Sequence, residues 1–309
     1  HCVNEHFLEK LKILNGTYVL PLSVNYRGIF YNRRMLEEEG YQIPSTYAEL
    51  INTMQQIKKA GKLPIVFADK DSWTIHQGWD AIDMSSRGSQ DDLFQKVLNG
   101  DTFLYEDPIA LDSTRKFLEI RKYSQKQTIN TGYDEAVKTF ANGDAYMFLQ
   151  GNWAYPMIKK INPDIDLLFM PFPAYSESQA KVVVKIDATL GVSASCKHSE
   201  AVDQFLDYVF SKDVSEYYAE KAGAYSCVKS VDVADSYAKA FTDSIREGEF
   251  FLEEFAYESE KSEARDALFQ NFISSPQRNT ETSSPKYGSP SGCCNKPSPR
   301  FRNVRGCRC

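Results

Sequence analysis

Histidine is scarce in this 309-residue chain, and its four copies (His1, His6, His76, His198) stand isolated. The body of the chain has no Cys-x-x-Cys pair, so the spacing that builds zinc sites is missing there. Neither Gly-x-Ser-x-Gly nor the phosphate loop Gly-x-x-x-x-Gly-Lys occurs, and no dinucleotide fingerprint follows a strand. These absences remove the common nucleophilic, nucleotide and metal chemistries; no catalytic residue, metal or cofactor is expected. No apolar run approaches the roughly 18 residues needed to span a bilayer. The sequence starts at His1 without a charged segment followed by an apolar one, so it shows no signal segment.

What is present has the composition of a globular protein, 42% hydrophobic and 25% charged, with net charge −6. The charge is uneven. Residues 283–309 hold six basic residues and no acidic one, so the rest of the chain is more acidic than the total indicates. An acidic body argues against nucleic acid as a partner, because phosphate contacts draw on Lys and Arg. Cys293, Cys294, Cys307 and Cys309 crowd the same basic stretch, which is rich in Ser and Pro and has little apolar material to form a core. Residues 276–309 are therefore expected to be a disordered, basic, Cys-containing tail.

Strand and helix patterns alternate along the body, which predicts an α/β fold with helices on both faces of a sheet. A helix is expected from Asn4 to Leu14, strands at Tyr18–Val24 and Gly28–Asn32, and a short helix at Arg33–Glu39. Ser45 or Thr46, with Glu49 placed to close a capping box, starts a longer helix striped by Leu50, Met54 and Ile57. Further strands are expected at Leu63–Ala68, Ala145–Leu149 and Asp166–Phe172. An extended stretch from Val182 to Val192 is interrupted at Asp187. Residues 70–135 are mostly helical; helices follow at Asp134–Ala141, Glu200–Phe210 and Val214–Lys221, with more from Ser236 to Phe272.

Residues 141–157 carry the most information. Asn142-Gly143-Asp144 turns into an apolar strand that ends at Gly151, and Asn152-Trp153-Ala154-Tyr155 opens the next helix. Ligands of open α/β sheets lie beyond the carboxyl ends of strands. Two aromatics and an amide at that place, without a nucleophile, fit a sugar held by ring stacking and hydrogen bonds. Trp73 lies just beyond another strand, in Asp71-Ser-Trp-Thr-Ile-His-Gln-Gly-Trp, and is a second candidate platform; Trp79 is expected to pack inside its helix.

Four motifs, in order over most of the body, carry a family resemblance. They are Tyr18-Val-Leu-Pro-Leu-Ser-Val-Asn25 with Ile29-Phe-Tyr-Asn32; Pro44-Ser-Thr-Tyr-Ala-Glu-Leu50 with Lys59-Ala-Gly-Lys-Leu-Pro64; Phe140-Ala-Asn-Gly-Asp-Ala-Tyr-Met147 with Gly151-Asn-Trp153; and Ala188-Thr-Leu-Gly-Val-Ser-Ala-Ser195. With them the chain resembles a family 1 extracellular solute-binding protein of carbohydrate ABC transporters, similar to maltose-binding protein. The resemblance implies a periplasmic-binding-protein-like two-lobe fold whose strands cross between lobes near Leu20–Val24, Ile186–Leu190 and Val228–Val233. It assigns 24–186 and 233–275 to a nearly complete C-terminal lobe. Segments 1–23 and 187–232 become the remnant of an N-terminal lobe that is mostly missing, as in an N-terminally truncated chain.

It also implies a carbohydrate ligand, permease subunits as partners, an extracytoplasmic location (periplasmic or lipid-anchored), and a monomer that closes by a hinge. Binding residues are expected at Trp153, Tyr155, Asn152, Asn25, Arg27, Asp187 and Trp73. Each has a plainer reading: the aromatics as core, Asn25 as a turn residue, Arg27 as a solvated charge, Asp187 as a cap. A glycoside-active enzyme with two opposed carboxylates, or a remnant that binds nothing, are the alternatives.

Overall fold

The structure is a computed structural model that describes residues 2–13, 16–87, 106–174, 182–231, 236–252, 270 and 273. The expected tail lies outside these residues, as does most of the helical stretch expected toward Phe272.

Helix α1 (Glu5–Lys10) is capped by Asn4, whose side chain accepts from His6 N. It is shorter than expected: it ends at Leu11, and Lys12–Ile13 (β1) pairs with Gly16–Thr17 (β2) instead. Two further strands, β3 (Val19–Pro21) and β4 (Ser23–Asn32), follow. The two separate strands expected over 18–32 are therefore divided at Leu22, and Gly28 lies inside β4. A Cβ at Gly28 would run into the carbonyl of Met170 on the adjacent strand, so this position takes glycine for close main-chain approach.

Asn32 caps α2 (Arg33–Glu38). Thr46 and Glu49 form the expected capping box of α3 (Tyr47–Lys59). Then come β5 (Ile65–Val66), α4 (Ser72–Arg87), α5 (Pro108–Arg121), α6 (Tyr133–Ala141), β6 (Met147–Gly151) and α7 (Tyr155–Ile161). The remaining elements are β7 (Leu167–Met170), β8 (Val183–Ile186), β9 (Thr189–Gly191), α8 (Ser199–Val209), α9 (Lys212–Ala222), β10 (Tyr225–Ser226), α10 (Lys239–Glu247) and β11 (Phe251–Leu252). Residues 251–252, expected to be helical, instead pair in parallel with β8.

The main sheet runs β11-β8-β4-β6-β5, with β7 and β10 also pairing to β4. Strand β4 is its axis: β8 and β10 flank its first half, β6 and β7 its second, all antiparallel. Among the described residues, only β5–β6 and β8–β11 are parallel pairs. The sheet is thus mixed, with helices on both faces.

Because side chains alternate across a strand, β4 feeds two cores. Val24, Tyr26 and Phe30 join Phe148 and Phe169 under α6, α7 and α10, through Phe140, Ile158 and Phe241. Ile29 and Tyr31 join Met147 and Leu149 under α3, α4 and α5, through Met54, Ile75 and Phe117. Asn25 and Arg27, in phase with Ile29, therefore project on the α4 face.

At the start of β4 three segments lie side by side. Leu22 N and Ser23 N both donate to Ala188 O (2.8 and 3.4 Å), Asp187 N donates to Ser23 O (2.9 Å), and Cys227 N donates to Leu22 O (2.9 Å). Beyond this jog, β3 pairs with β9 in a separate two-stranded sheet. Helix α8 buries none of its residues, and Phe205, Tyr208 and, on α9, Tyr217 are exposed.

Candidate sugar site

Strands β5 and β6 are parallel neighbours, with Ile65 opposite Met147, so their carboxyl ends emerge together. The chain leaving β5 turns through Asp69-Lys70-Asp71 into α4 and delivers Trp73 in its first turn. The chain leaving β6 passes Gly151 into a single 3-10 turn, Asn152–Ala154, and delivers Trp153. Helix α6 begins beside them with Tyr133. The three rings meet: Trp73 lies 5.0 Å from Tyr133 at 57° and 6.3 Å from Trp153 at 52°, centroid to centroid. These tilted contacts suit the aromatic quadrupole, and all three rings stay half-buried.

The backbone beneath the rings is fixed from several sides. Asp71 Oδ2 accepts from Tyr133 N (2.6 Å), so one carboxylate caps α6 and binds its start to the loop that carries Trp73. Lys70 N donates to Thr131 O (3.1 Å) in the same joint. Under the loop, the Arg121 guanidinium lies 4.1 Å from the Phe67 ring and 3.7 Å from the Phe117 ring, and donates to Asp69 Oδ1 (2.7 Å). Two polar atoms in the ring cluster, Trp153 Nε1 and the Tyr133 hydroxyl, are buried without a hydrogen-bond partner among the described residues. Burial raises the Tyr133 pKa, so the phenol stays neutral.

A polar strip adjoins the rings. Arg27 stands opposite Gly151 in the β4–β6 register. Its Nε donates to Gln77 Oε1 on α4, and Gln77 Nε2 lies 3.1 Å from His76 Nε2. Asn25, two residues earlier on the same face, lies close enough to Asp187 to favour its ionised carboxylate. Asp187 is exposed, yet the protein crowds its carboxyl enough for desolvation to raise its pKa; the nearby Asn25 amide, Lys185 and Arg27 oppose that rise. Amide, guanidinium and carboxylate thus lie in sequence beside an aromatic surface. Such groups can accept from and donate to vicinal hydroxyls while an apolar ring face lies on the indoles.

Trp73, Trp153, Asn25, Arg27 and Asp187 are therefore brought together and left partly open. Asn152 lies buried beneath the site with its amide engaged, and Tyr155 faces the other side of the sheet. The Asn152 side chain is fully buried: Oδ1 accepts from Tyr26 N (2.8 Å), and Nδ2 donates to Gly223 O (2.5 Å), with Asn25 Oδ1 at 3.4 Å. Its amide holds the turn together and offers nothing to a ligand in this conformation. The Tyr155 ring stacks on Tyr237 at 3.8 Å and 2°, on the opposite core. Trp79 packs as expected, with Nε1 donating to Thr114 Oγ1 (3.0 Å).

Tyr133, Gln77 and His76 were not anticipated as neighbours of the site. Tyr133 had a usable signal: it follows Thr131-Gly132 at a helix start, the same placement as Trp73 and Trp153. Among the described residues no group of three or more His, Cys, Asp or Glu is arranged to hold a metal, and no helix is long and apolar enough to cross a membrane.

Comparison with known proteins resolves the family. The profile of the bacterial extracellular solute-binding protein matches residues 3–216, most of the chain. The chain belongs to that family. The family comprises solute-binding proteins rather than enzymes, in agreement with the non-catalytic reading of the sequence. The multiple sugar-binding protein of Streptococcus mutans is 26% identical over 238 residues, covering 74% of this chain and 56% of that protein. The melibiose/raffinose/stachyose-binding protein MelE of Bacillus subtilis is 23% identical over 162 residues, 51% of this chain and 38% of MelE. The chain thus spans about half, or less, of the length of these relatives.

Among solved structures, the raffinose complex of the solute-binding protein RafE superposes with a TM-score of 0.76 at 22% identity, covering 88% of this chain and 72% of RafE. A sugar transporter protein of Bacillus licheniformis in complex with stachyose gives 0.71 at 19% identity, covering 88% of this chain and 72% of that one. At these identities the likeness shows the shared fold, the α/β fold of sugar-binding proteins.

Proposed function

We propose that this chain is the ligand-gripping part of an extracytoplasmic carbohydrate receptor that hands an oligosaccharide or glycoside to an ABC permease. The observation that carries the reading is the half-open Trp153 indole beside Trp73, next to the Asn25–Asp187–Arg27 strip at the carboxyl end of β6. A pyranose lying flat on Trp153 would place its C–H face on the indole and its ring of hydroxyls toward the strip. Asn25 supplies a donor and an acceptor, Asp187 accepts from two hydroxyls, and Arg27 donates. Trp73 and Tyr133 extend the platform to a second sugar unit. The relatives named for multiple sugars, melibiose, raffinose and stachyose support galactose-containing oligosaccharides as the first candidates.

The two-lobe assignment enters the same proposal. The side-by-side segments at Leu22–Ser23, Asp187–Ala188 and Ser226–Cys227 support a hinge there, with 24–186 and 233–275 as one lobe and 1–23 and 187–232 as part of the other. Asp187 then belongs to both hinge and site, so a bound hydroxyl biases the closed state through the difference in affinity between the two states. Titration with raffinose, stachyose, melibiose and maltose, followed by tryptophan emission and calorimetry, is the test. Saturable binding of at least one of them is expected; heat and emission flat against all four, with peptide or metal binding instead, would end this reading.

A further inference from the structure

The indole of Trp153 occupies the space where residue 151 would carry a side chain. An ideal Cβ built on Gly151 meets three nearest atoms, all from the indole: Cη2, Cζ3 and Cε3, each far inside van der Waals contact. Backbone strain does not explain the glycine, since Gly151 has φ −92° and ψ 162°, ordinary extended values open to any residue. Strand preference does not explain it either. Gly151 is a buried, paired position in β6, opposite Arg27, where glycine costs about 0.5–1 kcal/mol relative to alanine. In phase with Met147 and Leu149, residue 151 points to the α4 face, the side on which Trp153 and Trp73 lie.

We propose that Gly151 is a positioning residue for the sugar site: its missing side chain is the socket that sets the indole of Trp153 against Trp73 and beside Arg27. The inference rests on the sugar-receptor reading for its functional meaning, while the seating of the indole is independent of it. A methyl group at 151 forces the indole out of its socket and leaves the strand intact. The binding surface is thus encoded by an absence two residues before the ring that uses it.

The experiment compares Gly151→Ala, Trp153→Ala and the double variant with the unaltered chain, using raffinose and stachyose as probes. Near-UV circular dichroism and tryptophan emission report the indole, calorimetric titration reports affinity, and a thermal melt reports the fold. Gly151→Ala is expected to change the near-UV signal and weaken sugar binding about fivefold or more, as loss of aromatic contact geometry does. In the Trp153→Ala background the same substitution should leave affinity unchanged and should hold or raise the melting temperature, since alanine then recovers the strand cost of glycine. If Gly151→Ala fails to fold, the double variant should fold, because the three atoms nearest the added Cβ all belong to the indole; a double variant that also fails overturns the proposal.

An additional loss of affinity in the Trp153→Ala background, or an unchanged near-UV spectrum in Gly151→Ala, overturns it as well. Should no chain bind raffinose, stachyose, melibiose or maltose, the receptor reading fails, while the spectral and melting comparison still decides the socket.

Discussion

Trp153 and Tyr155 stand two residues apart on one turn, and their rings enter different environments. Tyr155 stacks flat on Tyr237 within an aromatic core that continues through Phe30, Phe169, Phe241 and Tyr26. Trp153 lies over Gly151 at a tilt to Trp73, half-open on the other side of the sheet. The first cluster draws its rings from four parts of the chain, with Tyr155 packed partly buried at its edge; the second is made of residues that begin helices or turns, two of them just beyond strand ends. The same residue class therefore extends a core on one side of the sheet and, under the proposed reading, forms a ligand platform on the other. Substitutions at the two positions should separate cleanly.

The largest contrast is expected from Trp153→Ala, which should weaken oligosaccharide binding about 30-fold or more, close to 2 kcal/mol, as removal of a tryptophan anchor does. Its melting temperature should barely move. Tyr155→Ala should do the reverse, costing about 2 kcal/mol of stability through the lost stack and the space left behind, with sugar affinity within about twofold of the unaltered chain. Calorimetry of binding and of unfolding on both variants checks the pair, and a Tyr155 variant that loses affinity while keeping its melt would dissolve the distinction.

Asn152→Ala sharpens the comparison at the residue that joins the two regions. It leaves Tyr26 N and Gly223 O buried without their partner, which costs about 1–3 kcal/mol. Chemical denaturation should show that loss. Affinity should fall too, because the turn that presents Trp153 is no longer held.

The smallest effect concerns pH. The folded protein raises the Asp187 pKa above the ordinary 3.8. As this group binds its proton more tightly when folded, its contribution to stability is greatest below 3.8 and is lost as pH rises through the raised value. Sugar affinity should run the opposite way, since only the ionised carboxylate accepts from two hydroxyls. It should therefore begin to fall on acidification at a pH above the ordinary aspartate range, and Asp187→Asn should abolish that pH dependence. An unchanged affinity profile in the variant would remove Asp187 from the site.

Much of this was legible in the sequence because it depends on local chemistry. The Thr46–Glu49 capping box, the helix start after Gly151 and the break at Asp187 are written within a few residues and appear in the structure. Family motifs in order gave the family that the profile match shows. The fates of Asn152 and Tyr155 were not legible, because they depend on partners far away in the chain. Asn152 meets Tyr26 N across 126 residues and Gly223 O across 71, and Tyr155 meets Tyr237. An amide at a helix start looks the same whether it faces a ligand or a buried backbone group. Likewise the merging of residues 23–32 into one strand follows from pairing with four other strands, which no local pattern announces.

With three tryptophans in the chain, the indole N–H resonances offer the most direct measurement. Trp79, buried and bonded to Thr114, is an internal control. Titration with raffinose or stachyose should shift the Trp153 resonance most, Trp73 next, and leave Trp79 in place. Binding that leaves Trp153 unmoved, or moves Trp79 as far, would contradict the claim that the indole over Gly151 receives the sugar.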